Sequence, residues 1–358
     1  MSKFKVEFTL KQHTPIIHFQ SDQSGATLRA TELKPKFDRF LLALKNQNLK
    51  PSKGPQGEKY FDYKVKITSE NLIIKDFDKF PPLYFARDNK QLSTAKLKIE
   101  IIAFDDKLIE IIKTEFPRFL AVTNFGSRSS KGYGSFWDEK IMPTVFMDYA
   151  KTYYPKIYKL DAKVNEKNWE KVVGDFYKLV KMGSNHGGYK KAYLWEYFAQ
   201  NGIRWEKRKI KKEFPDLVVS TSGKLPIDVQ NPKDENFRFI RVMLGLAGHY
   251  EFKILDKKYP TKPDGKPNFK KDPEKINITC NDDSIKRMRS PIEFKIIGNT
   301  VYLLCNDFYK YLYGKSFNFK YGNKDFNIIA PQENEFDLYK FMDYLVQRNI
   351  IKVAQCTI

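Results

Sequence analysis

Residues 3–12 read KFKVEFTLKQ, and the spacing within this stretch decides the fold. Phe4, Val6, Phe8 and Leu10 fall on one side of an extended chain, and Lys5, Glu7, Thr9 and Lys11 on the other. A period of two marks a strand with one face in a core. Residues 31–44, TELKPKFDRFLLAL, change period: Phe37, Phe40, Leu41 and Leu44 recur as one face of a helix. The spacing predicts a helix starting near Pro35, because proline suits a first turn and disfavours helix just before it. PSKGPQGE (51–58) is a turn-rich loop, and YKVKIT (63–68) and AKLKIEIIAF (95–104) are strands joined by a long connection through Pro81 and Pro82. A second helix follows from about Asp105, with Leu108, Ile111 and Ile112 inward and Pro117 as a restart or kink. FGSRSSKGYGSF (125–136) comes next, and WDEKIMPT (137–144) reads as the last strand. This β-α-β-β-α-β order predicts a ferredoxin-like domain over residues 1–150, with a glycine-rich loop, 126–135, between its second helix and last strand.

Outward from there the pattern alters. Residues 151–215 carry two segments with helical spacing, NWEKVVGDFYKLVK (168–181) and KKAYLWEYFAQ (190–200). MGSNHGGY, with His186, separates them, and they end in the basic run RWEKRKIKKEF (204–214). This is a helical bridge or insert. Strand patterns return over 216–358. FRFIRVMLGLAGHYEF (237–252) is apolar enough for a core, and YPTKPDGKPNFKKDPEK (259–275) is a surface loop. IEFKII and TVYLLC flank Gly298-Asn299, a two-residue hairpin signal. EFDLYKFMDYLVQRN (335–349) closes the chain as a helix with Leu338, Phe341, Met342 and Leu345 on one face. The fold class is α+β: two ferredoxin-like (RRM-like) domains, the second more diverged, joined by the helical insert.

At 358 residues the chain has room for two domains, and 41% hydrophobic with 15% aromatic residues is ample for packed cores. No apolar stretch approaches the roughly 20 residues of a membrane span. The N-terminus intersperses charges where a secretory signal is continuously apolar. Cys280, Cys305 and Cys356 lack CxxC spacing, which argues against a disulfide framework or zinc ribbon and for a reducing, cytoplasmic setting. Sixty-four Lys+Arg against 43 Asp+Glu give a net charge of +21, which a polyanionic partner, nucleic acid, best explains.

The glycine-rich loop is the first candidate RNA grip: Gly126, Ser127, Arg128, Ser129, Ser130, Lys131, Gly132, Tyr133 and Gly134. Small residues let successive N–H groups converge on an anion, Arg128 and Lys131 add charge, and Tyr133 offers a ring for stacking. It is not a P-loop, because Lys131 precedes Gly132 and no Ser or Thr follows the lysine for magnesium. GxGxxG is not completed either. Arg29, Lys34, Lys36 and Arg39 surround the predicted start of the first helix, where the dipole favours phosphate. Arg204, Trp205, Lys207 and Arg208, with Lys211 and Lys212, pair cations with an aromatic as single-stranded nucleic acid requires. Arg287 and Arg289, ahead of Ser290-Pro291, form a third group.

The RSxKGYGS loop after a second helix resembles the hallmark of the RAMP proteins of CRISPR systems. HTPIIHFQSDQSGATLRATELKPKFDRFLLAL (13–44) resembles that family's opening, FRFIRVMLGLAG (237–248) the start of its second half, and KRMRSPIEFKII (286–297) a strand with R-x-SP before it. The order is most similar to the first RAMP subunit of the type III-B (Cmr) effector complex. The resemblance implies a non-catalytic subunit that binds guide or target RNA near the guide's 3′ end, beside other subunits of the complex, with no cofactor and no membrane.

An enzymatic alternative stays open: some members of the superfamily cut guide RNA without metal. Such cleavage needs a base for the 2′-hydroxyl and an acid for the leaving oxygen. His13 and His18, on either side of Pro15, are the candidate pair. His186 is a weaker candidate. Asp105-Asp106 and Asp282-Asp283 are adjacent pairs whose side chains diverge, and no HD, GGDD or HExxH motif is present, which argues against metal-dependent chemistry.

Overall fold

The computed structural model describes residues 4–17, 27–44, 49–76, 91–183, 190–217, 236–252, 268 and 273–355. In chain order the first elements are β1 (Lys5–Gln12), β2 (Ile16–Ile17), α1 (Ala30–Ala43), β3 (Ser52–Lys53), β4 (Lys59–Tyr60), β5 (Lys64–Asp76), β6 (Gln91–Ile102), α2 (Asp106–Val122) and β7 (Phe136–Asp138). There follow α3 (Phe146–Lys151), β8 (Tyr158–Leu160), α4 (Trp169–Lys181), α5 (Tyr193–Ala199), β9 (Arg204–Trp205), α6 (Glu206–Glu213), β10 (Phe237–Arg238), β11 (His249–Phe252) and β12 (Glu274–Cys280). The last are β13 (Ile292–Ile297), β14 (Thr300–Cys305), β15 (Ser316–Tyr321), β16 (Lys324–Ile329), α7 (Leu338–Gln347) and β17 (Ile351–Val353). The chain forms two compact units. One comprises residues 1–176, 292–305 and 346–358, the other 177–291 and 306–345.

In the first unit β1 pairs antiparallel with β6 on one side and β7 on the other, and β5 lies beyond β6. Phe8 and Leu10 of β1, with Leu97, Ile99 and Ile101 of β6, turn inward as the alternation predicts. Leu33, Phe37 and Leu41 of α1 and Ile112, Phe116 and Phe119 of α2 cover them. Phe37 meets Phe116 edge-on at 5.2 Å, and Phe8 meets Phe116 at 4.5 Å.

Helix α1 starts five residues before Pro35, not at it. The missing proline N–H leaves the carbonyl of Thr31 without its helical bond, and Thr31 is exposed to water. Helix α2 likewise runs through Pro117, above the exposed Lys113. Asp105 caps it, accepting from the N–H groups of Lys107 and Leu108. The last strand is shorter than the sequence pattern implies. Asp138 takes the Lys140 N–H on its side chain and the Ile141 N–H on its carbonyl, and this turn ends β7.

A second antiparallel sheet in the first unit has the order β13-β14-β8-β17, so distant segments of chain complete it. Every residue of β13 is buried. One of them is Lys295, whose ammonium donates to the carbonyls of Thr123 (2.8 Å) and Phe136 (3.3 Å). Burial pushes this lysine down to about 7.

The second unit holds an antiparallel sheet in the order β11-β12-β15-β16, a short parallel pair of β9 with β10, and helices α5, α6 and α7. Leu338, Phe341, Met342 and Leu345 of α7 are buried as the helical spacing predicts. The apolar run 240–244 is a single wholly buried 3₁₀ stretch. Among the described residues, no helix is long and apolar enough to cross a membrane.

Candidate nucleic-acid interface

The glycine-rich loop is pinned from three directions. Ser127 N–H donates to the Ile17 carbonyl of β2 (2.8 Å), and Gly134 N–H donates to Pro15 (2.8 Å). The hydroxyl of Thr14 donates to the Gly132 carbonyl (2.6 Å) and accepts from Ser135 N–H (2.9 Å). Asn124 donates its amide to the carbonyls of Ser129 (2.9 Å) and Phe294 (2.8 Å), and the Ser135 hydroxyl donates to Ile296 (2.7 Å). A β-carbon on Gly132 would stand 2.3 Å from the Ile296 side chain, and one on Gly134 only 2.0 Å from the Phe125 carbonyl. With φ of +93° and +66°, both positions favour glycine for backbone conformation, and at Gly134, against a backbone carbonyl, packing requires it as well.

That corrects the expectation of an open anion nest. The N–H groups of Gly126, Ser127, Lys131, Gly132, Gly134 and Ser135 are already donated within the chain. The partner of Gly126 is itself an anion, Oε1 of Glu32 at 2.7 Å, from the first turn of α1. The same oxygen accepts from Lys36 (2.8 Å), which also donates to the Asn124 carbonyl. Tyr133 is not a free stacking ring. It is fully buried, edge-on to Trp169 at 4.8 Å, with its hydroxyl donating to Glu170. The ammonium of Lys131 is buried near the Phe294 ring, and Ser130 is buried too.

The crest, Ser127 to Ser129, is half-exposed. At its centre Arg128 is left-handed, at φ 58° and ψ 22°. Among the described residues, the other non-glycine positions with positive φ are Asn71 and Asn349, and asparagine tolerates that region far better than arginine. The Glu32 contact brings the start of α1 directly to this loop. Arg29 stands at the N-cap of α1 without a side-chain cap bond. The exposed Arg39, seven residues after Glu32, returns to the same helix face. Lys34 projects elsewhere: its ammonium meets Asp38 and the Phe61 carbonyl, both at 2.8 Å, over the Tyr63 ring.

The outer face of the first sheet is no stacking platform. Lys5, Glu7, Thr9 and Lys11 of β1 stand beside Lys98, Glu100 and Ile102 of β6 and Lys64, Lys66 and Thr68 of β5, and Trp137 of β7, opposite Lys11, is buried. Lys5 already pairs with Glu7 and Glu100.

His13 is held between the loop and the β13–β14 turn. Its backbone N–H donates to the Ser135 carbonyl (2.8 Å), and its ring Nδ1 accepts from Gly298 N–H at 3.4 Å. Burial, with Lys295 and Lys11 nearby, pushes the imidazole down to about 4, and Nε2 has no exposed surface. His18 and His186 lie outside the described residues.

In the second unit, Trp205 is buried and is not the exposed partner of a basic face. Lys207 lies over its ring at 5.1 Å, and burial pushes that lysine down to about 8. Glu206, one of two acids in the basic run, is wholly buried and bonds the buried Arg241, the lone charge in the apolar run 240–244. These two oddities in their local patterns were the sequence signal for that pair. Arg204 and Arg208 are half-exposed, and Arg287 and Arg289 are exposed, the latter over the Phe308 ring at 5.1 Å. Thr14, Glu32 and Asn124, which hold the loop, carried no such signal beyond lying close to it or to the first helix.

Two protein-family models match the chain: the Cmr1 N-terminal domain over residues 3–184 and the Cmr1 C-terminal domain over residues 189–356. No curated protein matches it.

Proposed function

The chain belongs to the Cmr1 family and is a RAMP subunit of a type III-B CRISPR complex, and on that premise we propose that it grips RNA without cutting it. The grip is on the backbone of guide or target RNA near the guide's 3′ end, beside other subunits of the cytoplasmic complex. The strand order β7-β1-β6-β5, with α1 and α2 on one face, supports the ferredoxin-like reading of residues 1–150.

One observation carries the reading: Arg128 is held left-handed at the crest of a rigid loop, against the start of α1. Placing an arginine there costs about 1–2 kcal/mol. It presents a guanidinium close to the positive end of a 14-residue helix whose N-cap is a second arginine, Arg29. Phosphates passing over this corner meet two planar donors and a helix dipole. Arg39 extends the track along α1. The charged outer sheet face favours the loop side over an RRM-like stacking surface.

The state of His13 supports a non-catalytic subunit. With Nε2 enclosed and Nδ1 accepting from a backbone N–H, neither ring nitrogen is turned outward toward a 2′-hydroxyl. The test is a titration of the purified chain against end-labelled repeat-derived RNA in EDTA, on native and denaturing gels together. Retarded, intact RNA is the expected result. A discrete cut that survives EDTA overturns the non-catalytic assignment, and absence of binding at low salt overturns the grip.

A further inference from the structure

We propose that a cleft in the second unit, beside Arg287, holds one unpaired RNA nucleotide, its base against Tyr311 and Phe308 and its phosphate at Arg287. This rests on the RNA-binding reading and adds a second contact of a different kind, to a base face rather than to backbone alone.

The cleft has a volume of about 410 Å³, within the range of roughly 300–1,000 Å³ typical of small-ligand sites. Its apolar lining comes from Ile285, Met288 and Leu312. Tyr311, also in the lining, is 77% exposed, a large ring left in water on an otherwise well-packed unit. Phe308, three residues earlier on the same 3₁₀ stretch and so on the same side of it, also lines the cleft and already carries the Arg289 guanidinium at 5.1 Å. Aromatic rings flanked by arginines are what unpaired bases stack on.

The one carboxylate in the cleft does not repel an anion. Asp282 accepts from Lys315 at 2.9 Å and from both the N–H and the hydroxyl of Ser284. Its charge is thereby compensated, and the exposed Arg287 remains to set the sign of the cleft. The backbone that carries the arginines is fixed. Leu246 and Met288 exchange both backbone hydrogen bonds, at 2.9 and 3.3 Å. A base within a duplex has its faces covered by its neighbours, so only an unpaired nucleotide can use the Tyr311 ring.

The test uses the full chain with fluorescein-labelled single-stranded oligouridine and with an RNA duplex of equal length. Tyr311→Ala should weaken single-strand binding by about tenfold and leave duplex binding unchanged. Arg287→Ala should lower the salt dependence of single-strand binding by about 0.7 per decade. Oligouridine carrying 5-iodouridine should crosslink to Tyr311 or Phe308. Wild-type binding with both variants unaffected and all crosslinks elsewhere overturns the cleft and leaves the loop grip standing. A wild-type chain that binds no RNA overturns both readings. Tyr311 is mostly in water, so its truncation leaves the fold intact.

Discussion

Arg128→Gly removes a guanidinium and relieves a backbone in one step, so it separates grip from fold. At φ 58° and ψ 22° the arginine sits in the left-handed region, which costs an L-residue about 1–2 kcal/mol. Glycine removes that cost, but its freer unfolded chain takes back about 0.5–1 kcal/mol. The net change in stability should therefore stay within about 1 kcal/mol. Affinity behaves differently. Losing one charge-assisted contact costs about 1.5–3 kcal/mol, or roughly tenfold or more in Kd. One phosphate fewer should also lower the slope of log K against log salt by about 0.7. Urea denaturation gives the first quantity, and fluorescence titration of single-stranded RNA at several salt concentrations gives the other two. Arg128→Lys keeps a charge in the same backbone and should retain most of the slope. A folded Arg128→Gly chain with wild-type affinity and slope refutes the phosphate contact. A stability loss well beyond 1 kcal/mol refutes the strain argument, because it would show the side chain to be a structural strut.

Two further predictions follow from the loop and its neighbours. Gly134→Ala places a β-carbon 2.0 Å from the Phe125 carbonyl at positive φ, and should cost about 3 kcal/mol or more in urea denaturation. Gly57→Ala, also at positive φ but with nothing within 4 Å, should cost only about 1 kcal/mol, and equal losses would refute the packing explanation. His13, pushed down from 6.5 to about 4, refuses a proton in the folded chain that the unfolded chain accepts. Its contribution is therefore full above pH 6.5 and is lost as pH falls toward 4, about 2 kcal/mol between pH 7 and pH 5. His13→Gln, which keeps an acceptor for Gly298 N–H, should flatten that acid limb, and an unchanged limb would show the loss to lie elsewhere.

Much of the secondary structure was legible in the sequence because it is written locally. The alternation of Phe8 and Leu10, the inward face of α7, the start of α2 near Asp105 and the Gly298-Asn299 turn each depend on residues within one element or one turn. Periodicity reports which face of an element is apolar, and caps report where a helix begins. The loop at 125–136 was legible as a break between α2 and β7, through an unusual crowding of glycine, serine and cations.

What that loop does was decided by tertiary contact. Its glycines read as room for a phosphate, yet Ile296 and Phe125 fill the space, and Tyr133 and Trp205 read as exposed rings, yet both are core. The β13–β14 hairpin looked like part of the second half and instead completes a sheet with β8 and β17 in the first unit. In each case the deciding partner lies far along the chain: Asn124 with Phe294, Ser135 with Ile296, Lys295 with Thr123. Local pattern states that a group must be buried or bonded, but which distant group satisfies it depends on chain folding that no window of sequence contains. The burial of an ammonium, or the clash of a methyl group with a carbonyl, exists only once those segments meet.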